Sequence, residues 1–300
     1  MPALRSFLSG IIDYAGLFPP ADLDMQSAVR NYAEYRAGAD HDLLGRFVLP
    51  SSRLREFAEA SRGLLERGAG SVPWCLSVLI GDDLAAARKA VLEFTSSHMD
   101  SSDAGHALCD AVEMRADNEQ QMIDAVKAFP RPLHQFFEIS LKPGFETMLE
   151  VIGSCRASAK VRTGGVTPDA FPSSQAIVRF VAACNELGLR FKATAGLHHA
   201  LCGNYPLTYA TDAPQAKMYG YVNLFLASAF IRKGIAESEA CAILEESSED
   251  EFSFRESGVS WRGNELSRDD LRMTRSRLFL SFGSCSFREP VDEARELGLI

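Results

Sequence analysis

Short apolar segments alternate along the chain with longer amphipathic stretches in which apolar residues recur at helical spacing. Apolar runs of about four to eight residues predict buried strands, and the longer stretches between them predict helices. Seven predicted strands lie around Leu8–Tyr14 and at 46–50, 72–80, 106–114, 133–140, 159–165 and 190–196. Because a helix follows each of them, the pattern predicts repeated βαβ units and a parallel sheet covered by helices.

Capping residues mark the ends of several predicted helices. Asp24 predicts the start of the first helix, which extends to Arg36 and ends at Gly38. The further helices are predicted to begin at Ser51 or Ser52 and at Asp82 or Asp83, and to span 118–129, 144–154, 173–187 and 216–233.

The last part of the chain departs from this alternation. Its predicted elements are a helix at 237–246, a β-hairpin at 252–263, a helix at 267–277, an eighth strand at 278–287 and a short helix at 289–297. Eight strand–helix units in 300 residues predict a single α/β domain over 1–300, a (β/α)8 TIM barrel. The β-hairpin and a helix then form an elaborated connection before strand 8.

An open doubly wound sheet is the alternative architecture for a chain of this length. Such a sheet normally has a glycine-rich phosphate loop after its first strand. The segment IIDYAGLFPPA (11–21) is not such a loop, so the barrel is favoured. The turn-rich segment 201–215 is interpreted either as a lid over the site or as a surface loop.

Composition narrows the function classes. The formal net charge is −9, and no Lys/Arg cluster is present, so neither a nucleic-acid partner nor a membrane partner is expected. Seven cysteines without a CxxC motif argue against a disulfide framework and predict a reducing, cytoplasmic location. The most apolar segment, 218–231, is shorter than the ~18–20 residues of a transmembrane helix. It predicts a helix buried in the core or packed against a second subunit of a homodimer.

Polar residues interrupt two of the predicted strands. They are Lys160 and Arg162 in AKVRTGG (159–165), and Lys192 and Thr194 in RFKATAGLHH (190–199). Residues two apart share one face of a strand, and covered parallel strands are normally apolar throughout. Both lysines are therefore predicted to point into the barrel. A buried charge requires a partner, so one alternative is a structural ion pair with Glu138 or Glu113.

Two neighbouring lysines also favour a particular chemistry. A second ammonium group or desolvation lowers the pKa of a lysine and releases the free amine. The free amine attacks a carbonyl carbon and forms a Schiff base, which accepts electrons when a carbon–carbon bond is cleaved or formed. The sequence therefore predicts a lysine nucleophile and a second lysine that activates it.

These segments resemble the sixth and seventh strands of class I aldolases of the deoxyribose-phosphate aldolase type, which read roughly K-x-x-T-G and K-A-x-G-G. The corresponding segments here are Lys160-Val-Arg-Thr-Gly164 and Lys192-Ala-Thr-Ala-Gly196. The resemblance implies that Lys160 forms the Schiff base and that Lys192 tunes its pKa. The catalytic aspartate of that family's third strand has no counterpart in VPWCLSVLI (72–80).

Further candidates lie at the predicted strand ends, where barrel enzymes build their active sites. Asp13 and Glu138 are candidate acid/base groups, with a turn cap and an ion pair to either lysine as the alternatives. Tyr14 is a candidate substrate contact. His198 is a candidate proton shuttle and His199 a candidate substrate contact, although either can also serve as a metal ligand beside carboxylates.

The remaining candidates are substrate contacts. Four of them are predicted because they lie at the ends of the two lysine-bearing strands: Arg162, Thr163, Gly164 and Thr194. In SFGSCSFREP (281–290), the residues Gly283, Ser284, Cys285 and Ser286 are predicted to present N–H groups and hydroxyls to an anion. An ordinary serine-rich turn with a helix cap is the alternative.

Three functions are therefore expected from the sequence. The first is a lyase of the class I aldolase type that acts on a small anionic carbonyl compound through a lysine Schiff base. The second is a metal-dependent barrel hydrolase or isomerase that uses His198 or His199 and carboxylates. The third is a barrel that binds a small ligand without catalysis. The first hypothesis requires no cofactor and no metal.

Overall fold

A computed structural model describes residues 4–68, 70–99, 105–129 and 131–300. Eight parallel strands form a closed barrel in the order β1-β13-β7-β6-β5-β4-β3-β2. They are β1 (Ile12–Tyr14), β2 (Leu44–Pro50), β3 (Trp74–Leu79), β4 (Ala107–Arg115), β5 (His134–Ile139), β6 (Ser158–Arg162), β7 (Phe191–Thr194) and β13 (Phe279–Ser284). The closed parallel sheet confirms the predicted α/β barrel, and the open doubly wound alternative does not hold.

Ten α-helices are present among the described residues. They are α1 (Met25–Ala37), α2 (Leu54–Ala60), α3 (Leu84–Met99), α4 (Glu119–Ala128), α5 (Phe145–Ser154), α6 (Ser174–Glu186), α7 (Tyr221–Arg232), α8 (Glu237–Leu244), α9 (Arg268–Arg277) and α10 (Arg288–Glu296). Asp24 caps α1, as predicted, because its carboxylate accepts the backbone N–H of Ser27 at 2.8 Å.

The first barrel strand is shorter than the prediction of Leu8–Tyr14. Residues Arg5–Phe7 form a 3-10 helix, and the strand covers only Ile12–Tyr14. Gly10, with a φ of 61°, adopts the left-handed conformation and so interrupts the extended chain before Ile11.

Two small antiparallel sheets are added to the barrel. Strands β8 (Gly203–Pro206) and β9 (Gln215–Met218) form a hairpin between β7 and α7. Strands β10 (Phe252–Arg255), β11 (Gly258–Trp261) and β12 (Asn264–Ser267) form a three-stranded sheet between α8 and α9. Strands β10 and β11, which pair antiparallel, lie within the span predicted as a hairpin, 252–263, and β12 follows that span.

Helix α7 is covered by its own chain. Every residue from Tyr221 to Ile231 is buried, and α6, α8 and α9 pack around the helix. Burial within the chain agrees with the first interpretation of the apolar segment 218–231, and the homodimer stays a prediction. Among the described residues, no helix is long and apolar enough to cross a membrane.

The barrel register sets the positions of the charged side chains. Lys160 on β6 lies opposite Glu138 on β5 and Lys192 on β7. Lys192 in turn pairs with Ser281 on β13, and Asp13 on β1 pairs with Gly283 on the same strand. Because side chains alternate along a strand, these register positions bring charged groups together inside the barrel.

Candidate active site

A buried row of alternating charges crosses the barrel. The Nζ atom of Lys192 lies 2.6 Å from Asp13 Oδ2 and 2.6 Å from Glu113 Oε1. The other oxygen of Glu113 lies 2.7 Å from Lys160 Nζ, which is 2.8 Å from Glu138 Oε2. Glu113, on β4, therefore bridges the two lysines, and each lysine lies between two carboxylates.

Neighbouring hydroxyl and N–H groups complete the contacts of the carboxylates. Ser281 Oγ donates a hydrogen bond to Asp13 Oδ2 at 2.8 Å, and the backbone N–H of Arg46 donates to Asp13 Oδ1 at 2.8 Å. Ser77 Oγ donates to Glu113 Oε1 at 2.6 Å. Buried charges are tolerated when they are paired and hydrogen-bonded in this way.

The charges of the row favour the ionised forms of Lys192, Glu113 and Glu138. Burial lowers the pKa of Lys192, but the charges of Asp13 and Glu113 outweigh that effect and raise it above the ordinary value. Burial also raises the pKa of Glu113, and the charges of Lys160 and Lys192 reverse the effect and bring it well below the ordinary value. Burial raises the pKa of Glu138 as well, but the charge of Lys160 and the other cations outweighs burial and lowers the pKa to about 2. Lys192 is therefore an ammonium between two carboxylates at neutral pH.

A cavity of about 320 Å³ opens above the two lysines at the carboxyl ends of the strands. Its polar lining consists of Glu113, Lys160, Arg162, Lys192, Thr194 and His198, together with the backbone of Gly283 and the side chain of Cys285. Phe18, Pro19 and Pro20 from the loop after β1 form an apolar part of the wall. A concave site with few polar groups in an apolar wall is typical of a small-molecule site.

The loops after β6 and β7 meet at two predicted site residues. Thr163 is fully buried and donates a hydrogen bond from Oγ1 to the carbonyl of Ala195 at 2.6 Å. A Cβ atom at Gly164 would lie 2.9 Å from the Cα atom of Gly196 and would also overlap the ring of Phe171. Thr163 and Gly164 thus hold the two loops together beside the cavity.

His198 contacts the loop after β13. Its Nδ1 atom lies 3.2 Å from Ser284 Oγ and 3.6 Å from Cys285 Sγ. Burial and the neighbouring charge of His199 lower the pKa of His198 to about 4, and burial raises the pKa of the Cys285 thiol to about 11. At neutral pH the pair is a neutral imidazole and a thiol, which is a poor nucleophile.

Tyr14 and His199, two of the predicted site residues, belong neither to the cavity lining nor to the buried charged row. Tyr14 is buried against the helices, where its ring contacts Tyr32, Tyr35 and Phe47. The Nδ1 atom of His199 lies 2.5 Å from Glu293 Oε1 on α10. The ring of His199 also stacks on Tyr205 of the hairpin at 3.3 Å between centroids.

The loop after β13 is divided between the cavity and local structure. Gly283 and Cys285 line the cavity. The side chain of Ser284 is buried, and its Oγ atom accepts the N–H of Ser286 at 3.3 Å. Ser286 Oγ accepts the N–H of Glu289 at 3.2 Å, at the start of α10. The two serine hydroxyls therefore have local partners, as in the alternative of a serine-rich turn with a helix cap.

Sequence reasoning omitted three contributions to the site. Glu113 was considered only as an ion-pair partner, although it joins both lysines. The wall formed by Phe18, Pro19 and Pro20 was not predicted. Arg115, at the end of β4, contacts Glu138 Oε1 at 2.6 Å through Nη2 and was also omitted. A glutamate inside an apolar strand was the available signal for Glu113.

The described part of the chain contains no group of three or more His, Cys, Asp and Glu side chains that could hold a metal ion. Comparison with known families and sequences gave no match: no protein-family model fits the chain, and no curated protein is significantly similar to it.

Proposed function

We propose that this protein is a lyase of the class I aldolase type, in which Lys160 forms a Schiff base with a small anionic carbonyl compound. One observation carries the proposal: two lysines share a single buried carboxylate, Glu113, at the floor of a cavity of about 320 Å³. Two lysines that point into a barrel are costly to bury, and an apolar core does not require them. Perturbed titratable groups in a cleft are typical of active sites.

The surroundings of the lysines favour Lys160 as the nucleophile. Lys192 has Asp13 and Glu113 as partners, and its raised pKa keeps it protonated. The second partner of Lys160 is Glu138, which also contacts two arginines and therefore holds Lys160 less strongly than Asp13 holds Lys192.

The proposed reaction begins when Glu138, whose Oε2 atom lies 2.8 Å from Lys160 Nζ, relays a proton from that ammonium group to the carbonyl oxygen of the substrate. The free amine then attacks the substrate carbonyl carbon, and a second Nζ proton passes through Glu138 to the carbinolamine hydroxyl, which leaves as water and gives a protonated Schiff base. Glu138 accepts the proton of the substrate hydroxyl as the carbon–carbon bond breaks, and the bond electrons form an enamine. Protonation of the enamine carbon and addition of water release the second product and restore the amine.

The other two functions have less support. The described residues offer no ligand set for the metal-dependent hydrolase or isomerase. A barrel that only binds a ligand could use the same cavity. Such a protein, however, does not require two lysines in contact with one carboxylate.

Borohydride reduction tests the proposal. Purified protein is incubated with acetaldehyde, pyruvate or succinic semialdehyde, reduced with sodium borohydride and digested for mass spectrometry. We expect an adduct on Lys160 that is absent from the Lys160→Arg variant, which keeps the charge but cannot form a Schiff base. The exposed-lysine variant Lys89→Ala controls for surface labelling. Adducts spread evenly over exposed lysines, with none on Lys160, would overturn the proposal.

A further inference from the structure

A second concavity, of about 640 Å³, adjoins the lysine cavity at the ends of β4, β5 and β6. We name it the arginine cleft, after Arg115 and Arg162 in its wall. Its other charged lining residues are Asp117, Glu138 and Lys142, and residues 139–145 form one side. Arg162 lines both the cleft and the cavity, so the two spaces meet at its side chain.

The charges in the arginine cleft are not balanced. Three cations, Arg115, Lys142 and Arg162, face two carboxylates, Glu138 and Asp117. Glu138 is also the partner of Lys160, since its Oε2 atom lies 2.8 Å from Lys160 Nζ. Glu138 thus has Lys160, Arg115 and Arg162 as partners, and the cleft has fewer negative than positive charges.

The two guanidinium groups retain free donors. The guanidinium of Arg162 contacts Glu138 at 3.5 Å, and this is its single side-chain hydrogen bond among the described residues. Arg115 uses Nε and Nη2 for Glu138, at 3.1 and 2.6 Å, and its Nη1 atom has no acceptor in the described structure. The side chains are 73% exposed for Arg115 and 46% exposed for Arg162. A guanidinium has five N–H donors in a fork that matches a carboxylate or phosphate.

The loop after β13 is a weaker anion site than its sequence suggested. The hydroxyls of Ser284 and Ser286 already have partners within the loop, whereas no cationic side chain from that loop lines the cavity. An anionic group that enters the cavity is therefore attracted towards Arg162 and the cleft behind it.

We infer that the arginine cleft binds the terminal oxyanion of the substrate, a carboxylate or phosphate at the end remote from the carbonyl. This inference rests on the proposed function, because Lys160 fixes the position of the carbonyl. Lys160 and Arg162 are two residues apart on one strand, so their Cα atoms are about 6.6 Å apart. The substrate class is accordingly a linear carbonyl compound with several bonds between the carbonyl carbon and its anionic end.

Calorimetry with inorganic phosphate and with glutarate tests the binding site directly and separates the two sources of oxyanion. The protein carries Lys160→Arg, so that the result does not depend on Schiff-base formation. We expect at least one probe to bind, and the double variant Arg115→Ala/Arg162→Ala to weaken binding about 10- to 100-fold, as expected for lost charge-assisted hydrogen bonds. Arg55→Ala, which removes an exposed arginine paired with Glu59, should bind normally. Absence of binding, or equal affinity in the double variant, would overturn the inference.

Trapping then separates the inference from the proposed function. With Lys160 intact, we expect the double arginine variant to lose much more of the succinic semialdehyde adduct than of the acetaldehyde adduct. Equal loss of both adducts would count against the cleft as the site of the anionic end. If no adduct forms in any protein, the Schiff-base proposal fails, and the calorimetric result still decides whether the cleft binds oxyanions.

Discussion

The two ends of the buried charged row differ in their exposure to solvent. We call the end at Asp13 the closed end and the end at Glu138 the open end. At one end Asp13 is fully buried and has Lys192, Ser281 and the backbone of Arg46 as partners. At the other end Glu138 contacts Arg115 and Arg162, whose side chains reach solvent. The same residue types therefore fix a charge at one end and leave donors free at the other. A buried ion pair serves stability or reactivity according to what surrounds it.

The closed end gives the largest expected effect. Asp13→Asn removes one of the two carboxylates of Lys192 and leaves a buried charge with incomplete compensation. We expect the free energy of unfolding to fall by about 3–5 kcal/mol, the usual cost when one partner of a buried pair is lost. Urea denaturation measures it. Asp269→Asn, in an exposed pair with Arg272, is the matched control and should change stability by less than about 0.5 kcal/mol. Similar stability of the two variants would mean that the closed end is not structural.

A smaller effect is expected where the loops after β6 and β7 touch. A Cβ atom added by Gly164→Ala would overlap Phe171 and lie 2.9 Å from the Cα atom of Gly196. We expect a loss of about 1–3 kcal/mol in the free energy of unfolding, typical of overpacking, and a lower yield of the adduct trapped by borohydride because the cavity wall shifts. Gly81→Ala is the control, since no heavy atom lies within 4 Å of the added methyl group. Unchanged stability and an unchanged adduct yield in Gly164→Ala would refute the close approach.

The open end gives an effect that depends on pH. The pKa of Glu138 is lowered from 4.5 to about 2, so its stabilising contribution is complete above pH 4.5 and is lost as the pH falls towards 2. Glu138→Gln removes this contribution. As the pH falls over that range, we expect the variant to lose less stability than the wild type does. The two slopes should differ by up to about 1.4 kcal/mol per pH unit.

Urea titrations at pH 5, 4 and 3 compare these slopes for Glu138→Gln and the wild type. Glu265→Gln removes an exposed carboxylate that makes no ion pair with the described residues, and its slope should match the wild type. A Glu138→Gln slope equal to that of the wild type would show that Glu138 is not held by its cations.

The location of the site was predictable because charged residues inside covered strands are rare. Lys160 and Lys192 contradict the apolar pattern of β6 and β7, and both do line the cavity. Glu113 breaks the pattern of β4 in the same way and could have been included on that ground. Its pairing with both lysines follows from the order of the strands around the barrel, which no single segment contains.

Strand alternation would have separated Asp13 from Tyr14. Adjacent residues of a strand point to opposite faces, so an inward Asp13 requires an outward Tyr14. His198 and His199 are adjacent as well, and one contacts the cavity while the other contacts Glu293. The arginine cleft is different, because its shape depends on the path of residues 139–145 after β5. Loop conformation is not encoded in hydrophobic periodicity, and so the cleft could not be predicted.

The contact between Gly164 and Gly196 also bears on how relatives of this protein can be recognised. Each of the two glycines follows a lysine of the pair by four residues in the sequence. A methyl group fits at neither glycine without displacing the backbone at the other. We therefore expect substitutions to accumulate elsewhere in the barrel but not at these two positions. Descendants of a common ancestor that retained the site should therefore share a twofold K-x-x-x-G signature on consecutive strands. This signature would persist after overall sequence similarity has been lost.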